Sequence, residues 1–209
     1  MISEELQSLL LKYAEPEDAL LQHIDRETHL KVLMPRMLSG HYQGRVLSML
    51  SKMIGARRIL EIGTFTGYAT LCLAEGLTDE GLIYTLDINA ELEDMVRGNF
   101  AKSPLNPKIK YIIGDAQQSL QHIDEVFDLV FIDADKKNNG TYYQLIFDRV
   151  RPGGIIIVDN VLWSGKVLGG AQDKDTKNIS NFNDEVAKDQ RVEKLILPVR
   201  DGLFVIRKK

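Results

Sequence analysis

The segment LVFIDADKK places Asp133, Asp135, Lys136 and Lys137 directly behind four apolar residues. A second apolar run, GGIIIVDN, ends in Asp159 and Asn160. If both runs are neighbouring strands of one sheet, three oxygen donors meet at their ends: the carboxylates of Asp133 and Asp159 and the carboxamide of Asn160. Such a set suits a hard, octahedral cation such as Mg2+, with Mn2+ or Ca2+ as substitutes. Histidine and cysteine are absent from it, which disfavours zinc. Lys136, beside a divalent cation, has its charged form disfavoured and becomes a candidate base. Lys137 has no such task and is expected in solvent. Taken singly, each aspartate reads as well as the cap of a helix or turn.

The run EIGTFTGYAT follows another apolar segment and opens a helix. Glycines at the carboxyl end of a strand let the backbone approach a ligand closely. The spacing Glu61, Gly63, Gly67 departs from the dinucleotide fingerprint by one residue and carries an acid in front. A pyrophosphate is repelled by that acid, whereas a cofactor with a cationic amino-acid portion tolerates it. Alone, the turn is equally an ordinary strand-to-helix connection. Asp87 adds weight, because it ends YTLD twenty residues after Gly67, where an acid accepts hydrogen bonds from ribose hydroxyls. In IIGDA, Gly114, Asp115 and Ala116 end a third strand. There Asp115 contacts an adenine edge or caps the short helix that follows, and the two uses are compatible.

These residues need a scaffold that brings strand ends together. After Gly55, short β-rich runs alternate with amphipathic ones: RRILEIG, LIYTLDI, KIKYIIGD, FDLVFIDAD and GGIIIVDNV, with helices expected from about Tyr68, through Phe100, over residues 142–150 and over residues 182–188. That alternation predicts a largely parallel α/β sheet covered on both faces. Only RDG, residues 200–202, separates EKLILPV from LFVIRKK, so the last two strands form an antiparallel hairpin. SGKVLGGAQDKDTKNIS is expected to be one long loop. From Ser3 to about Met53 the apolar spacing is helical, interrupted at Pro16 and in residues 34–44.

With 209 residues, one domain is expected. A net charge of -4 offers no basic field for nucleic acid or anionic membrane, and no apolar run is long enough to span a bilayer. Cys72, the single cysteine, excludes a disulfide framework and suits the cytoplasm. A small-molecule substrate fits these bounds.

In order along the chain, LEIGTFTGYAT, YTLDI, GDA, FDLVFIDADK, GGIIIVDNVLWSGKV and LPVRDGL resemble the motifs of class I S-adenosylmethionine-dependent methyltransferases. More narrowly, they resemble the metal-dependent O-methyltransferases that include the catechol and caffeoyl-coenzyme A enzymes. The resemblance implies a doubly wound, Rossmann-like sheet of seven strands. It implies a cofactor pocket of Glu61, Gly63, Gly67, Tyr68, Ala69, Asp87, Asp115 and Ala116, with Met37 to Ser39 closing over it and Asp133 and Asp135 contributing. It implies Asp133, Asp159 and Asn160 as ligands of Mg2+, Lys136 as the base, and a catechol-like acceptor. Trp163 would stack on that acceptor, or fill the packing under its loop. Dimer contacts through the N-terminal helices belong to the same expectation.

Departures from the family pattern stand at Asn139, where a tyrosine is usual, at His41, in a segment usually more acidic, and at Arg200, where a small residue is common. The first bears on acceptor preference, the second lies near the cofactor lid, and an arginine at 200 would meet an anionic substrate group or merely decorate the hairpin. Two other classes compete: a nicotinamide-dependent oxidoreductase, which the glycine spacing does not favour, and a non-catalytic S-adenosylmethionine-binding regulator.

Overall fold

A computed structural model describes residues 4–169 and 173–209. Seven strands form one sheet in the order β3-β2-β1-β4-β5-β7-β6. They are β1 (Arg58–Ile62), β2 (Leu82–Asp87), β3 (Ile109–Ile113), β4 (Phe127–Ile132), β5 (Val150–Asp159), β6 (Val192–Leu197) and β7 (Leu203–Lys208). The pairs β1–β2, β2–β3 and β4–β5 are parallel, while β7 runs antiparallel to both β5 and β6. The expected mostly parallel sheet with a terminal hairpin is therefore present. No helix among the described residues is long and apolar enough to cross a membrane.

Two compact units divide the chain, residues 4–123 and 124–209. In the first, α1 (Glu4–Lys12), α2 (Ala19–Lys31) and α3 (Gly40–Ile54) precede β1. Asp18 caps α2 by accepting from Leu20 N at 2.8 Å, and Gly55 ends α3 in a left-handed turn. Helices α4 (Tyr68–Ala74) and α5 (Glu93–Ala101) follow β1 and β2, and the short α6 (Ala116–Ser119) follows β3. Leu21, Ile24 and Leu38 from the N-terminal region pack with Tyr68, Leu71, Cys72, Val96 and Phe100. Arg45 of α3 grips Glu75, just past α4, through both carboxylate oxygens at 3.0 and 2.5 Å. Burial alone would raise the Glu75 carboxyl, but Arg45, Lys52 and Ser48 together hold it below the usual range.

The second unit builds α7 (Asn139–Phe147) and α8 (Lys174–Lys188) onto β4, β5 and the hairpin. Tyr143, Phe182 and Phe204 meet edge to face through its core. One boundary corrects the sequence reading. The polar stretch 164–180 is not a single loop: α8 begins at Lys174, eight residues ahead of the expected start, and residues 170–172 lie outside the described ones. Asp173 is the reason, since its carboxylate accepts from Thr176 N and Thr176 Oγ1 at 2.8 and 2.9 Å and caps the helix. Buried Thr176, Ile179, Phe182 and Val186 then form one helical stripe.

Candidate active site

The first unit carries the cofactor candidates. Glu61 sits one residue before the end of β1 and is fully buried. The register pairs it with Thr85, whose hydroxyl donates to Glu61 Oε2 at 2.5 Å, and Thr70 Oγ1 donates to the same oxygen. Beyond it the backbone turns at Gly63 and Phe65, with φ of 102° and 52°. Asp87, the last residue of β2, accepts from Phe65 N at 2.7 Å through one oxygen and from Asn89 N at 2.9 Å through the other. It thereby holds the glycine turn, and each oxygen keeps a second lone pair for a ribose hydroxyl.

Gly67 has φ of 85°, and an added Cβ would lie 2.5 Å from the Phe100 ring. Its glycine is thus demanded by backbone conformation and by packing against α5. Tyr68 points into the core, and its hydroxyl donates to Glu17, the residue before the α2 cap. Burial, with Glu17 adding to it, pushes that phenol up. Ala69 and Ala116 are buried, Ser39 is buried and Met37 is half exposed. Asp115 does cap α6, accepting from Gln117 N and Gln118 N at 2.8 and 3.2 Å.

The second unit carries the metal and base candidates. Ile132 of β4 pairs with Val158 of β5, so the next residues, Asp133 and Asp159, stand side by side at the strand ends. Asp159 is 2% exposed and accepts from Asn160 N at 2.7 Å. Asn160 takes φ of 62°, a left-handed conformation that asparagine tolerates better than most residues. Lys136 Nζ lies 2.9 Å from Asp133 Oδ1, with both side chains less than one-fifth exposed. Asp135 accepts from Tyr142 Oη at 2.8 Å and Asn138 Nδ2 at 2.7 Å, which fastens the turn carrying Lys136 to α7. Lys137 is mostly in solvent, as its lack of a task suggested.

Adjacent carboxylates repel, and a divalent cation offsets that repulsion. Two carboxylates and a carboxamide at neighbouring strand ends therefore fit a hard cation in donor chemistry. Among the described residues no cluster of three histidine, cysteine, aspartate or glutamate side chains is placed to hold a metal. The fit accordingly depends on Asn160 as the third donor.

Trp163 is half buried with φ of 47°, and its indole Nε1 is buried without a hydrogen-bond partner among the described residues. Asn139 is 1% exposed, and neither amide atom finds a partner among them. A cleft of about 680 Å³ runs between α7 and α8, lined by Lys136, Lys137, Gln144, Asn178, Asn181 and Glu185 among others. His41 Nε2 lies 2.8 Å from Glu15 O, and Arg200 is exposed on the hairpin turn with φ of 48°. Sequence reasoning missed Thr28 and Asn99, which hold the cofactor turn through Thr66 Oγ1 at 3.0 Å and Thr66 O at 3.1 Å. Neither carries a motif, and only the fold brings them there.

The seven-stranded Rossmann-like sheet with acids at the ends of its parallel strands has the architecture of solved α/β methyltransferases. An O-methyltransferase from Bacillus cereus, described in complex with SAH, aligns over 98% of this chain and 97% of its own at 33% identity and a TM-score of 0.90. The O-methyltransferase TomG from Streptomyces achromogenes, in complex with SAM, aligns over 100% of both chains at 25% identity and a TM-score of 0.91. A caffeoyl-CoA O-methyltransferase from Petroselinum crispum is 36% identical over 88% of this chain and 81% of its own. The sequence profile of the O-methyltransferase family matches residues 12–209. This chain belongs to that family and is an O-methyltransferase.

Proposed function

We propose that this enzyme transfers the methyl group of S-adenosylmethionine to one hydroxyl of a small vicinal dihydroxy aromatic. We assign a divalent cation, Mg2+ first, to Asp133, Asp159 and Asn160. The observation that carries this reading is the β4–β5 register, which sets Asp133 beside Asp159 with Lys136 on the Asp133 carboxylate. The relatives named caffeoyl-CoA O-methyltransferases support the acceptor class.

When bound, the cation lowers the proton affinity of an acceptor hydroxyl, and S-adenosylmethionine supplies an electrophilic methyl group. Lys136, released from its ion pair with Asp133 and in its neutral form, would take the acceptor proton. Trp163 offers an aromatic face to the acceptor. Glu61 supplies counter-charge for the cationic amino-acid portion of the cofactor, and Asp87 accepts from its ribose. Cys72, buried and free, fits a cytoplasmic protein.

The test is methyl transfer from labelled S-adenosylmethionine to a panel of catechols and caffeoyl conjugates, with Mg2+ and with excess chelator in parallel. Product should form only with the metal, and Asp159→Ala should abolish transfer while calorimetry still records cofactor binding. Undiminished turnover in chelator would overturn the metal assignment.

A further inference from the structure

The turn between β6 and β7 abuts the loop that leaves β5. Leu162 N donates to Asp201 O at 2.9 Å, Val161 N to Gly202 O at 3.3 Å, and Ser164 N to Asp201 Oδ1 at 2.5 Å. From α8, Asn183 Nδ2 donates to Val161 O at 2.9 Å. Gly202 has φ of 89°, and an added Cβ would lie 2.5 Å from Leu162 Cγ, so the two turns touch without room for a side chain.

The gripped loop is strained. Asn160, Trp163 and Ser164 hold φ of 62°, 47° and 53°, and Gly165 holds 79°. Non-glycine residues persist in that region only where their surroundings over-determine them. Here the bonds from the hairpin and α8 fall on residues 161 and 162, between the left-handed positions, and on Ser164, which is one of them. The main-chain bonds survive almost any substitution. The Asp201 carboxylate does not, and a carboxylate on a backbone N–H is among the stronger kinds of hydrogen bond.

We infer that Asp201 is a positioning residue: through Ser164 N it holds the 160–165 loop in the left-handed path that aims the Asn160 carboxamide and the Trp163 indole. The inference rests on the proposed roles of Asn160 and Trp163, and its test separates the two. Trp163 is the only tryptophan in the chain, so its fluorescence reads the loop without turnover. In Asp201→Ala, acrylamide quenching of that emission should rise at least about twofold and Mn2+ affinity, by calorimetry, should fall about tenfold. Asp201→Asn keeps an oxygen acceptor for Ser164 N and should restore most of both, which a general loss of stability would not do. It also serves if the alanine variant folds poorly. Unchanged quenching in both variants would overturn the inference. If quenching rises as expected but the parent protein binds no Mn2+, the loop is held as inferred and the metal assignment falls instead.

Discussion

Glu61 concentrates the residue-scale chemistry. Glu61 has no solvent exposure, and the hydroxyls of Thr70 and Thr85 donate to its Oε2, which offsets part of the cost of burying a carboxyl group. Glu61→Gln preserves volume and removes the charge. The expected outcome is at least a tenfold weaker S-adenosylmethionine affinity by calorimetry, since a hydrogen bond to a charged group is worth roughly 1.5–3 kcal/mol. An unchanged affinity would remove Glu61 from the cofactor site. The residue types were legible: an acid before a glycine turn, an aspartate ending a strand, a lysine three residues past an aspartate. Their partners were not. The threonines on Glu61 lie 9 and 24 residues away, and only strand register and helix docking bring them in. Asp135 shows the limit from the other side, because its carboxylate is engaged by Asn138 and Tyr142, whose alignment depends on how α7 starts.

Among elements, α7 and α8 depend on the residue that ends α8. Asp189 accepts from Tyr143 Oη at 3.0 Å and from Arg191 Nη2 at 2.6 Å, and Arg191 lies over the Phe147 ring, 3.8 Å from its centre. The Arg191 guanidinium holds the Asp189 carboxyl well below the usual carboxylate range, against a smaller opposing effect of burial. A depressed carboxyl stabilises the fold above its unfolded pKa, and that contribution is lost as pH falls through the folded value. Asp189→Asn should therefore lower the melting temperature at pH 7 by a few degrees, for a loss of about 1 kcal/mol. Thermal scans down to pH 2 should show the gap to the parent narrowing below the ordinary carboxylate range, where the unfolded chain takes up a proton that the folded carboxyl still resists. A gap independent of pH would mean that packing, not charge, is lost. Strands and hairpin were readable from alternation and from the short RDG connection. The start of α8 was not, because lysines, asparagines and aspartates hide a narrow apolar stripe that only the Asp173 cap and the packing surface select.

For the whole molecule, apolar side chains left in water call for a partner. Tyr13, Leu33 and Met53 are each more than three-quarters exposed in the unit of residues 4–123, and Leu30, Met34 and Met37 are at least half exposed. Large apolar side chains left in solvent are candidates for an interface where they adjoin, and identical chains most often close one as a two-fold pair. We expect a dimer in sedimentation velocity at micromolar concentration, shifted toward monomer by Leu33→Asp. A monomeric parent would refute it. Helical spacing showed that these faces were apolar; which side of each helix stayed uncovered depended on packing that spacing does not encode.

The strand order also has a consequence for the protein's biosynthesis. β6 is made before β7 yet pairs only through it, since β7 lies between β5 and β6. Residues 192–197 therefore cannot join the sheet until residues 203–208 have folded back beside β5. Docking of β6 is thus the last step of sheet assembly at this edge, and a chain cut short before residue 203 would leave it without a neighbour.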